Sequence, residues 1–302
     1  MSIKETCLIP EIFIKDFKNN SPGLSVISLN ELFDKFSAVV TKPHRICYYQ
    51  LLLLEEGNGC LHIDSKKYNF RPRSVFAQSK GSVEYFDHNR KRDYLKSGNV
   101  GHAILFTDEY LYKYPEDLLW LNRLKLFDIS ADPLLKLSDS EFTELNHFLK
   151  KIINESNSQK NFASDEILIN MLKTFLLVIE RIKRTRTCEE SSNLKENTVL
   201  LKFKEKLEEN FFLSRSVRSY ADILNVTPKK LSQVTQTYMG NPAKKVIEER
   251  VLLEIKRLLI YTDKTVREIG FSMGFNDPTN FNKFFKRYTK VTPAEFRASY
   301  NK

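Results

Sequence analysis

The chain has 302 residues, 41% of them apolar and 28% charged, a length that suits two domains and a composition that supports packed cores and excludes a disordered chain. Nine glycines and ten prolines exclude collagen-like and low-complexity architectures. The net charge of +10 is unevenly spread: residues 193–302 hold 21 Lys and Arg against 12 Asp and Glu, which marks the last third as a polyanion-binding module behind a near-neutral front module.

From about Asn20 to Thr107 the sequence reads as short strands separated by turns. Tyr48–Leu54 is a strongly apolar run, closed by the polar turn Glu55-Glu56-Gly57-Asn58-Gly59. In Cys60–Asp64, Leu61 and Ile63 alternate with polar neighbours, as in a half-buried strand. Ser65-Lys66-Lys67 is expected to be a turn, followed by strands at Tyr68–Phe70, Val75–Ala77, Val83–Phe86 and His102–Phe106. Regular short strands of this kind predict a small antiparallel barrel or sandwich.

From Ser138 the period changes to helical. Phe142, Leu145, Phe148, Leu149 and Ile152 recur at three- and four-residue steps, and Ile167, Leu168, Met171, Leu172, Phe175, Leu176 and Ile179 do the same, with Ser138 or Asp139 and Ser164 or Asp165 as N-caps. Such a pair serves core packing or self-association, and a homodimer through residues 139–182 is the expectation. The basic run Arg181–Arg186 and the polar Cys188–Asn193 read as the interdomain linker. The expected organisation is a front module over residues 1–137, a helical pair at 138–186, a linker at 187–194 and the basic, polyanion-binding module at 195–302.

The last third contains an internal repeat. Val217-Arg218 recurs as Val266-Arg267 and Asn225-Val226 as Gly274-Phe275, at an offset of 49. One added residue then shifts Pro228, Leu231, Val234 and Tyr238 onto Pro278, Phe281, Phe284 and Tyr288. Each copy is a short helix, a tight turn and a second helix, the plan in which the second helix enters a DNA major groove. These second helices are predicted at 228–239 and 278–288. Pro242–Ile260, with an apolar stripe at Val246, Ile247, Val251, Leu252, Ile255, Leu258 and Leu259, is predicted to be a connecting helix about 28 Å long, near the 34 Å of one DNA turn. With the apolar positions inward, Lys229, Lys230, Ser232, Gln233 and Gln236 point outward in the first copy, and Thr279, Asn280, Asn282, Lys283 and Arg287 in the second. Amides pair bidentately with adenine, Lys reaches guanine, and Ser or Thr serves either. Lys264, Arg267, Lys286, Arg287, Lys290 and Arg297 are candidates for phosphate contacts.

No apolar run approaches the ~18–20 residues of a membrane span, and the N-terminus lacks the pattern of a signal peptide, so a cytoplasmic, nucleoid-associated protein is expected. Cys7, Cys47, Cys60 and Cys188 contain no CxxC and read as buried reduced thiols. No phosphate-binding glycine loop, HExxH or GxSxG occurs, so no cofactor, metal or catalytic residue is expected.

The segments Ser219–Ser232, Ile269–Tyr288 and Thr292–Arg297 resemble the AraC/XylS family of bacterial transcription regulators. The family's glycine-phenylalanine pair is matched by Gly274-Phe275, its recognition-helix aromatics by Phe281 and Phe285, and its closing proline and arginine by Pro293 and Arg297. The resemblance implies two motifs in one DNA-binding domain, with base contacts at Lys229, Ser232, Gln233, Thr279, Asn280, Asn282 and Lys283, and RNA polymerase as a partner of an activator. The family commonly has Gly where this chain has Lys290, while Gly240 holds that place in the first copy. Lys290 is therefore expected to adopt a left-handed cap at ~1 kcal/mol or to change the turn. The front module resembles the cupin-like barrel often fused to this domain, through Pro43-His44, Tyr49-Gln50-Leu51, Gly57-Asn58-Gly59, Arg71–Ser74 and Gly101–Phe106. It is an α+β, two-domain expectation, with a small-molecule effector pocket at His44, Tyr48, Tyr85 and His88. The paired histidines of metal-binding cupins are missing, and Glu84 stands where a later one often does. The alternative function is a DNA-tethered, cupin-type metalloenzyme.

Overall fold

The computed structural model describes residues 9–17, 21–64, 66–87, 101–111, 120–121, 124–128, 132–159, 161–186 and 198–300. The chain divides into one unit of residues 10–191 and a second that contains residues 192–302. The expected linker at 187–194 and His88 lie outside the described residues.

The first unit is built on two five-stranded sheets. Sheet A runs β1 (Glu11–Ile12), β3 (His44–Ile46), β8 (Val83–Phe86), β5 (Gly59–Ile63), β6 (Lys66–Phe70). Sheet B runs β10 (Leu134–Lys136), β7 (Ser74–Gln78), β4 (Tyr49–Leu54), β9 (Gly101–Phe106), β2 (Leu24–Ser28). Each sheet keeps two free ends among the described residues, so the strands form a sandwich and not the closed barrel of the cupin expectation. The sheets are antiparallel except for β1, which runs parallel to β3.

Sheet B is the middle layer. Its even-numbered residues on β4, β7 and the odd ones on β9 (Leu52, Leu54, Phe76, Ala103, Leu105) pack with Ile46, Leu61, Ile63, Phe70 and Phe86 of sheet A, closed at one side by α1 (Leu29–Val40) through Leu32 and Phe33. The alternate residues (Tyr49, Leu51, Leu53, Val75, Ile104, Phe106) pack against Leu145, Leu149 and Ile152 of α3 (Asp139–Asn157) and Leu172, Phe175 and Ile179 of α4 (Ser164–Arg186). A short helix, α2 (Asp108–Leu111), follows β9. Burial on both faces explains why β4 reads as a continuous apolar run instead of an alternating one. The basic stretch Arg181–Arg186 is the last turn and a half of α4, with Ile182 buried beneath it, and is not linker. Glu180 fixes that end by accepting from the backbone N–H groups of Lys125 at 3.1 Å and Leu126 at 2.9 Å.

The second unit is all helical: α5 (Thr198–Asn210), α6 (Val217–Ile223), α7 (Pro228–Met239), α8 (Ala243–Tyr261), α9 (Val266–Ser272), α10 (Pro278–Thr289) and α11 (Pro293–Tyr300). The apolar stripe of α8, including Ile247, Val251, Ile255 and Leu259, forms one core with Phe203, Tyr220, Leu231, Ile269, Phe281 and Phe285. The repeat offset of 49 to 50 holds through the whole motif, since α6 and α9, α7 and α10, and α8 and α11 begin at matching positions.

Candidate nucleic-acid interface

Both recognition helices start from the same local chemistry. Thr227 and Asp277 are N-caps that accept from the backbone N–H of Lys230 at 3.1 Å and Thr279 at 2.7 Å, and a proline follows each at the first helical position. Proline lacks the N–H that would go unpaired there, and its φ suits a helix. The preceding turns bend through positive φ at Asn225 (53°) and Gly274 (71°), the pair the repeat aligns. A Cβ on Gly274 would lie 2.7 Å from the Phe212 carbonyl oxygen, whereas the first copy places Asn, a residue that tolerates this conformation, at the matching position.

The helices present the faces that the periodicity predicts. Leu231 and Val234 of α7, and Phe281, Phe284 and Phe285 of α10, are buried. Lys229 and Gln233 are exposed and Ser232 half-buried on α7, while Thr279, Asn280, Asn282 and Lys283 are all exposed on α10. Gln236 donates to the Gly240 carbonyl at 3.0 Å and so braces the end of α7. That end is left-handed at Gly240 (φ 72°), and Lys290 takes the same conformation at the end of α10 (φ 69°), its N–H bonded to the Lys286 carbonyl at 2.9 Å.

The candidate phosphate ligands divide. Lys286 and Lys290 are exposed on and just beyond α10, Arg267 is exposed at the start of α9, and Lys264 is half-buried before it. Arg218 is exposed at the position of α6 that matches Arg267, and belongs with this group. The Val217-Arg218/Val266-Arg267 repeat carried that signal. Arg287 instead donates to the Glu248 carboxylate of α8 at 2.7 Å. Tyr288 donates to the same carboxylate, and burial followed by Glu248 raises the Tyr288 phenol above its ordinary value. Arg297 turns inward, donating through Nε to the Leu259 carbonyl at 2.9 Å and through Nη2 to that of Thr262 at 3.4 Å. It holds the orphan carbonyls at the end of α8. Along α8 itself, buried Arg250 pairs with Glu208 at 2.8 Å and Glu254 at 3.3 Å, and Arg257 shares Glu254 at 3.3 Å.

Of the expected effector-pocket residues, the three that are described do not share one face. His44 and Tyr48 face the sandwich interior, whereas Tyr85, next in sequence to inward-facing Glu84, projects from the opposite face of sheet A and stacks on His62 at 4.4 Å. What the interior does hold is a polar cluster that bridges the sheets. Gln50 Nε2 donates to Gln78 Oε1 at 2.6 Å and to the Glu84 carboxylate at 2.9 Å, and Gln78 Nε2 reaches that carboxylate at 2.6 Å. His44 lies with Nε2 at 3.6 Å from Glu84 and Nδ1 at 2.9 Å from the Lys42 carbonyl. Burial, reinforced by Glu84, raises the Tyr48 phenol well above its ordinary value. The meeting of Gln50, Gln78 and Glu84 has no local sequence signal, because it depends on bringing together three strands from two sheets.

Residues 220–299 match the family described as helix-turn-helix domain. Over 278 residues the chain is 22% identical to the arabinose operon regulatory protein of Escherichia coli strain K12, an alignment that spans 91% of this chain and 88% of that protein. It is 20% identical to the HTH-type transcriptional activator RhaS of Enterobacter sp. strain 638, across 84% of this chain and 86% of that one. Among solved structures it is similar to ToxT from Vibrio cholerae, with a TM-score of 0.39 and 14% identity over 91% of this chain and 97% of that chain. No described helix is long and apolar enough to cross a membrane. With two helix-turn-helix motifs in register on a basic module, a helix-turn-helix family match over residues 220–299 and regulators aligned along nearly the whole chain, the protein is similar to the arabinose operon regulatory protein and the activator RhaS and is a sequence-specific DNA-binding transcription regulator.

Proposed function

We propose that α7 and α10 read two major-groove segments one helical turn apart on one DNA face, and that the first unit supplies an effector response and self-association. The observation that carries this reading is the doubled motif fixed to one helix: the 19 residues of α8 span about 28 Å against a DNA repeat of about 34 Å. Lys229, Ser232 and Gln233 serve the first half-element and Thr279, Asn280, Asn282 and Lys283 the second, while Arg218, Lys264, Arg267, Lys286 and Lys290 neutralise phosphates. Selection of the full chain from random duplexes should return a motif with two elements about 10 bp apart. Lys283→Ala should relax the preference in one element only, whereas Lys286→Ala should lower the salt slope by about one unit at every sequence. Absence of any preferred sequence at moderate salt defeats the proposal.

Self-association through residues 139–182 is supported by exposed apolar side chains on α4, Ile167 and Leu177. A particle of one chain's mass in light scattering at tens of micromolar would end that part. An activator of this kind engages RNA polymerase, and a small-molecule effector would be met by the Gln50, Gln78, Glu84 and His44 cluster inside the sandwich. Glu84→Gln should then change the response to the effector while leaving basal DNA affinity as it is.

A further inference from the structure

Sheet A turns Leu61, Ile63 and Phe86 toward the sandwich core, so the residues between them project from its outer face. The register sets His62 opposite Tyr85 on one side and Lys67 on the other, and Cys60 opposite Asn69. The Asp87 N–H donates to the Cys60 carbonyl at 3.1 Å, which extends the β5–β8 ladder by a residue and places Asp87 opposite Cys60. His62 lies diagonal to Asp87, within reach for a long side chain. One sulfur, one imidazole nitrogen and one carboxylate oxygen of Cys60, His62 and Asp87 consequently lie within 4.8 Å of one another.

We propose that Cys60, His62 and Asp87 bind one divalent transition-metal ion of the zinc class. Thiolate, imidazole and carboxylate together form a donor set suited to zinc, whereas magnesium and calcium demand oxygen ligands throughout. Tetrahedral donors about 2.0–2.3 Å from an ion sit roughly 3.5 Å apart. The cluster therefore closes on the ion by a contraction of about 1 Å, within the range of small χ adjustments. Two ligands stand on a central strand of the sheet and Tyr85 stacks on the His62 ring with only 10° between planes, so the imidazole is held in place before the ion arrives. The location already accommodates positive charge, since Lys67 Nζ lies 3.5 Å from the Asp87 carboxylate across β5. The ion displaces that ammonium. As the sulfur–metal bond forms, the Cys60 thiol releases its proton to solvent, and the fourth coordination position stays open to water or a small anion. The expectation of an inert buried thiol rested on the absence of CxxC; here the ligands are a Cys-x-His on one strand and an aspartate on its neighbour.

The test is titration of the reduced, metal-stripped full chain with cobalt(II) as the probe, followed by competition with zinc(II). The expected result is one cobalt per chain, a near-ultraviolet thiolate-to-cobalt charge-transfer band, and loss of that band on adding zinc. Cys60→Ser should abolish the band, and Cys7→Ser, Cys47→Ser and Cys188→Ser combined should keep it. His62→Gln and Asp87→Asn, at partly exposed positions, should each weaken cobalt binding by ~10-fold or more. Lys67→Ala removes the competing ammonium and should tighten binding. A wild-type chain without the band, a band that survives Cys60→Ser, or unchanged affinity in both His62→Gln and Asp87→Asn overturns the proposal. Because the last two variants spare the buried sulfur, they decide the matter even where Cys60→Ser fails to fold.

Discussion

The two motifs solve one packing problem with different residues. In the second, α9 carries Gly270 where a Cβ would meet the Phe281 ring at 3.2 Å, closer than an ordinary carbon–carbon contact of about 3.5–4.0 Å. At the matching positions of the first motif stand Ala221 and Leu231, both fully buried. Gly270→Ala should therefore show two opposed effects. The helix gains about 1 kcal/mol from the better helix former, and overpacking against Phe281 costs about 1–3 kcal/mol, for a net loss of roughly 1 kcal/mol. Phe281→Leu alone should lose about 1–2 kcal/mol through the space it leaves. Combined, the new methyl occupies part of that space, so the double variant recreates the first motif's pairing and should fall within about 1 kcal/mol of the parent, a coupling of roughly 1–2 kcal/mol. Urea unfolding read by amide hydrogen exchange over α9 and α10 measures it. The single tryptophan, Trp120, lies in the other unit, and its fluorescence serves as an unchanged internal reference. Losses that add to within about 0.5 kcal/mol would refute the size-compensation argument.

Lys290→Gly should stabilise the second unit by about 0.5–1 kcal/mol, since the lysine sits at φ 69° and glycine carries no Cβ strain there. Gly240→Ala should cost about 1 kcal/mol for conformation alone, because its Cβ would meet nothing within 4 Å, and Gly274→Ala clearly more; both are read by thermal unfolding. Arg297→Ala should lose about 1.5–3 kcal/mol of stability and leave the salt slope of DNA binding unchanged, which separates a helix-capping arginine from a phosphate ligand. Hydrogen bonds from Thr265 and Thr292 hold the Glu268 and Glu295 carboxyls below their ordinary value. A depressed folded value means the contribution is complete above the unfolded carboxyl range and fades as pH falls through the lower folded value; Glu268→Gln with Glu295→Gln should flatten that acid loss in a pH series of urea midpoints.

The DNA-binding half was legible because its signals are local. Thr227-Pro228 and Asp277-Pro278 announce the recognition helices, and the apolar stripe of α8 fixes its length. The contacts of Arg287 and Arg297 were not legible because each arginine's partner lies 35 to 39 residues away in sequence, and nothing in its neighbours announces a bond to Glu248 or to the last carbonyls of α8. In the first unit, Lys66 and Lys67 were expected in a turn, yet they belong to β6, the edge of sheet A, where lysines guard an open ladder. The parallel β1–β3 pairing joins distant segments and leaves no local trace. The split of the expected pocket was legible in principle: Glu84 and Tyr85 are adjacent in a strand, so their side chains must leave it on opposite sides.

The unlike faces of α7 and α10 have a consequence for how the protein meets its target. A symmetric dimer of identical readers suits a palindrome and has no preferred heading. A single rod carrying Lys229, Ser232 and Gln233 at one end and Thr279, Asn280, Asn282 and Lys283 at the other has a head and a tail. Under the proposed function its site is directional, and reversing one half-element while keeping the spacing should abolish the fit. On that reading, polarity along the DNA belongs to one chain by itself.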